Sequence, residues 1–123
     1  MSEIESVHLL DGKTIDYTYE GGWRFRVRFY EGLAAYEFLG ESGEEVSNSN
    51  ADIPYQSRLI RDDLYHVVWH ETNIGDLVSL VIDVATMRIY SAALLGYRDL
   101  DYTLHFERGA IHSYTDSSDS SFG

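Results

Sequence analysis

Cysteine is absent from this chain, so it can build no disulfide, no thiol nucleophile and no thiolate metal site. Basic residues are scarce, with nine Lys and Arg against 21 Asp and Glu and a formal net charge of −12. Phosphate binding needs basic clusters, so this balance argues against nucleic acid and against anionic membrane surfaces as partners. It also gives an anionic ligand no long-range attraction, and a bound carboxylate would depend on local donors. No apolar run is long enough for a membrane span, and no signal peptide is recognisable. The expected setting is the cytoplasm, which a cysteine-free chain suits. Proline occurs once, so little interrupts extended strands.

What the chain has is aromatic residues and turns: ten Tyr, five Phe, two Trp and ten Gly in 123 residues. This is a strand-and-turn composition for a single domain with one core, spanning 1–123. Residues 1–13 read as a lead-in, in which Leu9 to Lys13 form a turn that plugs one end; residues 1–10 have room for one or two helical turns. Strand-like runs follow at Thr14–Tyr19, Trp23–Tyr30, Leu33–Leu39, Ile53–Arg61, Leu64–Glu71, Leu77–Val84, Met87–Leu95, Tyr102–Glu107 and Ala110–Tyr114. The connections carry turn chemistry, among them Gly21-Gly22, Glu31-Gly32, Asp62-Asp63 and Arg108-Gly109. Glu41–Asp52 reads as a polar acidic loop, Ser113–Gly123 as a stretch that frays, and 115–123 as a flexible tail. Such spacing predicts an all-β antiparallel meander. Eight or nine strands most economically close into an up-and-down barrel, which removes sticky edges and either fills with side chains or holds one small ligand.

Alternation assigns the faces. Trp23, Phe25, Val27 and Phe29 share one side of their run and should face inward; Arg24, Arg26 and Arg28 share the other. An anion site on that arginine stripe is a weaker reading than a solvated outer face paired with carboxylates such as Glu37 or Glu20. In Leu64–Glu71 the more aromatic face holds Tyr65, Val67, Trp69 and Glu71, which puts Glu71 near the barrel mouth. On pattern alone a solvated carboxylate at a strand end is the commoner situation. Tyr17 and Tyr19 share a face; such a pair is usually barrel packing, yet two phenols side by side can also donate to one carboxylate.

No metal site is expected. His66 and His70 share a face but stand about 13 Å apart along a strand, too far for one ion. His105 and His112 read as neighbours across an Arg108-Gly109 turn and as ordinary histidines. No phosphate loop, nucleophile elbow or dinucleotide fingerprint is present, so no cofactor is expected.

The run Gly12-Lys13-x-Ile15-x-Tyr17-Thr18-Tyr19-Glu20-x-Gly22-Trp23 resembles the opening of the phenolic acid decarboxylases, and Val68-Trp69-His70-Glu71 with Asp76 resembles their Trp-Thr-Glu segment. A longer stretch, Leu64 to Trp69, then Val81-Ile82-Asp83-x-x-x-Met87-Arg88 and on to Gly96-Tyr97, resembles the MoaF-like family, named for molybdenum cofactor biosynthesis protein F. The resemblance covers most of 12–97 and implies a lipocalin-like (calycin) barrel. It implies, from the decarboxylases, that Tyr17 and Tyr19 clamp a substrate carboxylate and that Glu71 acts as general acid. Phe25 stands where those enzymes have a pocket aromatic. Their arginine falls in a stretch that aligns near Ser47-Asn48-Ser49-Asn50, where this chain has none. Relatives of this barrel often dimerise, so a homodimer is expected.

Three functions are therefore in play. The first is a barrel that binds a small aromatic or phenolic molecule, with Trp23, Phe25, Tyr65 and Trp69 as ligand-binding residues. The second is a cofactor-free lyase resembling phenolic acid decarboxylase, with Glu71, Tyr17 and Tyr19 as catalytic residues. The third is a filled barrel serving as an interaction subunit.

Overall fold

The computed structural model describes residues 7–40 and 49–116. Within them lie eight strands: β1 (Lys13–Tyr19), β2 (Arg24–Tyr30), β3 (Leu33–Gly40), β4 (Ser49–Arg61), β5 (Leu64–Glu71), β6 (Asp76–Asp83), β7 (Arg88–Leu95) and β8 (Thr103–Asp116). Each pairs antiparallel with the next, and β8 returns to β1, so the sheet is a closed barrel. The described residues contain no helix, and none that is long and apolar enough to cross a membrane.

The alternation seen in the sequence is the alternation of the barrel wall. Ile15, Val27, Phe29, Tyr55, Val67, Ile82 and Ile89 are almost fully buried and form the core. The arginine stripe of β2 lies outside: Arg24 donates to Asp16 at 2.8 and 3.1 Å, and Arg26 to Glu37 at 3.2 Å. Asp16 thus takes the place foreseen for Glu20, which instead accepts from Arg108 at 3.0 Å. The β2–β3 hairpin turns on Glu31 and Gly32, both at positive φ (51° and 78°), the mirror-image turn that matches strand twist.

The lower end of the barrel is plugged as expected. Leu10 is wholly buried. Its backbone N–H donates to the Tyr55 hydroxyl at 3.1 Å, and that hydroxyl donates to Asp11 at 2.8 Å. Asp11 in turn accepts from the Gly32 N–H at 3.0 Å. Residues 1–6 lie outside the described residues, so the helical turns expected over 1–10 bear only on Val7–Leu10, where there is none.

Three expectations are corrected. Arg108-Gly109 is no turn: the two final runs are one strand, Thr103–Asp116, whose first half pairs with β7 and second half with β1. His105 and His112 are therefore on one strand and not across a hairpin. Gly109 is glycine because a Cβ there would sit 2.3 Å from the Thr18 carbonyl oxygen. Glycine marks a close backbone approach at a barrel bend as readily as a turn. Secondly, β4 starts at Ser49 and not Ile53, so only residues 41–48 of the acidic loop remain, outside the described residues. Thirdly, Ser113 to Asp116 does not fray: Thr115 pairs with Thr14, and Asp116 pairs with Lys13 and accepts from its ammonium at 2.5 Å. The rest of the expected tail, 117–123, lies outside the described residues.

Gly109→Ala must push β1 and β8 apart and is expected to lower stability by roughly 2–3 kcal/mol, the scale of an overpacked interior. Urea denaturation checks this; an unchanged midpoint would mean the seam is not tight at this point.

Candidate functional site

At the upper end, opposite the plug, the barrel is not filled. A cavity of about 180 Å³ remains, walled by Tyr17, Tyr19, Phe25, Tyr36, Trp69 and Val78, with Glu71, Asp76, Ser91 and His105 as polar groups. Each side chain is there because strand alternation points it inward. Tyr17 and Tyr19 come from the upper end of β1, and Phe25 pairs with Tyr17 at the start of β2. Tyr36 lies opposite Val27 in β3, and Trp69 and Glu71 end β5.

Glu71 departs most from what its sequence position suggested. It is not a solvated strand-end carboxylate; it is 2 % exposed. Its Oε1 accepts from the Tyr36 hydroxyl at 2.8 Å and from Asn50 Nδ2 at 2.9 Å. Its Oε2 accepts from Trp69 Nε1 at 2.8 Å. All three donors are neutral. The backbone carbonyl of Glu71 is held too, by the N–H groups of Ile74 and Gly75 at 3.2 and 2.8 Å, which fixes the turn into β6. Asp76 lies directly opposite Glu71 in register and accepts from the Gly96 N–H at 2.8 Å.

The phenols form a chain. Tyr17 and Tyr19 meet edge to face with centroids 5.2 Å apart. Burial pushes the Tyr17 hydroxyl well up from the ordinary phenol range, and its hydrogen bond to Tyr19 adds to this. Tyr19 is also raised by burial, against hydrogen bonds from Ser91 and Tyr17 that lower it. Tyr36 is raised by burial and by the charge of Glu71 beside it. His105 stands against the Tyr19 ring at 5.0 Å, with Ser91 Oγ 3.3 Å from Nδ1 and Glu107 3.6 Å from Nε2.

The structure brings together Tyr17, Tyr19, Phe25, Trp69 and Glu71, as expected. Trp23 lines the cavity from the rim, 48 % exposed and tilted on Phe38 at 5.2 Å; it faces the mouth and not the core. Tyr65 is corrected: it points inward but is absent from the cavity, lying four residues (about 13 Å) below Trp69. There it stands beside Tyr114, whose pKa burial and the neighbouring Tyr65 push up to about 12. Sequence reasoning missed Tyr36, Asn50, Ser91 and Asp76 as cavity or support residues. Tyr36 was findable, since it falls in phase with Ala34 and Phe38 in an alternating run; Asn50 was not, because its role depends on β4 crossing the end of β5. His66 bonds to Ser79 at 3.0 Å and His70 to Tyr97, so the two serve separate strand contacts.

Because several tyrosines are raised above the ordinary value of 10.0 in the folded state, folding retains protons that the unfolded chain would release. The stability this contributes is complete below about pH 10 and falls as pH rises through about 12 and beyond. Tyrosinate absorbance should therefore show a group that ionises only together with loss of circular dichroism. Smooth titration of every tyrosine near pH 10 in a folded protein would contradict this.

Comparison with known proteins agrees with the architecture. No curated protein matches the chain. A crystal structure of a "putative beta-lactamase" from Burkholderia vietnamiensis superposes with a TM-score of 0.68 at 17% identity, covering 84% of this chain and 93% of that one. At that identity the likeness is one of fold. The MoaF-like family matches residues 11–104, a span that holds every strand from β1 to β7 and all the cavity residues but His105. The chain belongs to the MoaF-like family.

Proposed function

We propose that this protein binds a small aromatic molecule in the upper end of its barrel. The observation that carries the reading is the cavity of about 180 Å³ left among Tyr17, Tyr19, Trp23, Phe25, Tyr36 and Trp69, with a buried hydrogen-bonded carboxylate at its edge. Ligand sites are typically concave, largely apolar and supplied with a few fixed polar groups. The volume is below the ~300–1,000 Å³ of drug-sized sites, which limits the occupant to about one ring and a short substituent. A cysteine-free chain suits a reducing compartment, and cytoplasmic action is part of the proposal.

A second reading is lyase chemistry of the phenolic acid decarboxylase kind, with Tyr17 and Tyr19 as carboxylate clamp and Glu71 as proton donor. It is favoured by the convergence of those three side chains on one cavity. It is opposed by Asn50 at Glu71, close to where the decarboxylases carry arginine. Binding therefore ranks first.

The homodimer is proposed on a separate surface. The outward residues Leu77, Leu94 and Leu104 lie in one register across β6, β7 and β8, beside Ser79, Ala92 and Phe106. Phe106 is 81 % and Leu104 69 % exposed. None of the six is charged, so two copies of a −12 chain can meet there without opposing carboxylates.

Thermal shift of the purified protein against small aromatic acids, amines and neutral compounds, with mass spectrometry of each mixture, tests the first two readings. Stabilisation with the ligand recovered unchanged is the expected result. Loss of carbon dioxide from a phenolic acid, abolished in Glu71→Gln, would establish the lyase instead. For the assembly, Phe106→Glu is expected to give a monomer by light scattering where the parent is a dimer; a monomeric parent at all concentrations would remove the dimer.

A further inference from the structure

The geometry points to a ligand that carries positive charge, a protonated amine on a small aromatic body. This rests on the binding reading and adds the chemical class of the occupant. It starts from where the chain keeps its own cations. Its nine Lys and Arg all lie within the described residues, and none of them lines the cavity. Lys13 is paired with Asp116, Arg24 and Arg26 with Asp16, and Arg108 with Glu20. Arg28 lies over the Tyr30 ring, and Arg98 lies over Tyr97 and donates to the Thr72 carbonyl. Arg58, Arg61 and Arg88 are exposed on β4 and β7.

The cavity, by contrast, is lined by two carboxylates, Glu71 and Asp76, facing one another in register. Like charges in such a position repel. Buried charges in proteins are ordinarily matched by an opposite charge. Glu71 has hydrogen bonds but no cation: a phenol, an amide and an indole fill three of its roughly four acceptor directions. Among the described residues Oε2 accepts only from Trp69, and the remaining direction is on that oxygen. His105 does not supply the missing charge to Glu71, since its two ring nitrogens are turned to Ser91 and Glu107.

An ammonium group placed against Glu71 and Asp76 would satisfy both carboxylates. The ring faces of Tyr17, Tyr19, Phe25, Tyr36 and Trp69 favour a cation as well, because the aromatic quadrupole is negative on its face. An acid in the same place would bring a third negative charge into a low-dielectric space with no counter-charge. A neutral alcohol would avoid repulsion but forfeit both attractions.

The test uses the full chain and matched trios of probes: benzylamine, benzyl alcohol and benzoate; phenylethylamine, phenylethanol and phenylacetate; and the corresponding indole trio. Isothermal titration calorimetry gives the affinity of each. On the best-fitting body the amine is expected to bind at least about tenfold more tightly than the alcohol, a difference of one decade in Kd, and the acid not at all. Glu71→Gln, with folding checked by circular dichroism, should erase the preference of amine over alcohol; if it does not fold, Asp76→Asn takes its place. Tightest binding by an alcohol or an acid overturns the inference and leaves the binding reading standing. No binding by any member overturns both.

Discussion

The seam between β1 and β8 is the constraint on which the rest of the molecule rests. Closure brings the Thr18 carbonyl so near the β8 backbone that only glycine fits at position 109. The register also shifts here, between Asp16 and Tyr17, with His112 as the extra residue on β8. Such a bulge sharpens the local bend, and β8 needs one, because its two halves serve opposite edges of the sheet. Without the seam, Tyr17 and Tyr19 would face solvent. With it, they face Ser91 and His105 across a cavity, and the sheet has no free edge to recruit other chains.

The two ends of the barrel use the same pair of groups to different ends. At the lower end the Tyr55 hydroxyl donates to the exposed Asp11, and a backbone N–H completes the set. The carboxylate keeps its water, and the arrangement locks the plug. At the upper end the Tyr36 hydroxyl donates to Glu71, and the carboxylate is sealed from solvent. The first pairing is a structural latch. The second is a buried carboxylate at the edge of a cavity.

The architecture was readable from the sequence because it depends on alternation and turn residues, which are local. Trp23 to Phe29 announced its two faces, and Glu31-Gly32 its hairpin. What could not be read depended on distance in sequence. Gly109 looks like a turn beside Arg108, and only the approach of Thr18 from 91 positions away makes it a bend in one strand. Glu71 looks like a solvated strand end, and only Tyr36 and Asn50, from two other strands, show that it is enclosed. Tyr65 shares its face with Trp69, but a face runs the height of the barrel, and alternation does not tell the plugged end from the open one. The motif resemblance did better than pattern here, since it singled out Tyr17, Tyr19 and Glu71 as companions, and they line one cavity.

The character of the site turns on which donors surround Glu71. Hydrogen bonds to a charged group contribute on the order of 1.5–3 kcal/mol each. Three of them are of the right size to offset the several kcal/mol of desolvating a carboxylate. They make the buried charge tolerable without cancelling it, because a phenol, an amide and an indole bring no positive charge. An arginine in place of Asn50 would cancel it, and the cavity could then accept an acid. With asparagine there, the field inside the cavity remains negative. The chain holds all its lysine and arginine on the outer wall or in the turns, so on the proposed reading that field favours a visitor that brings its own positive charge.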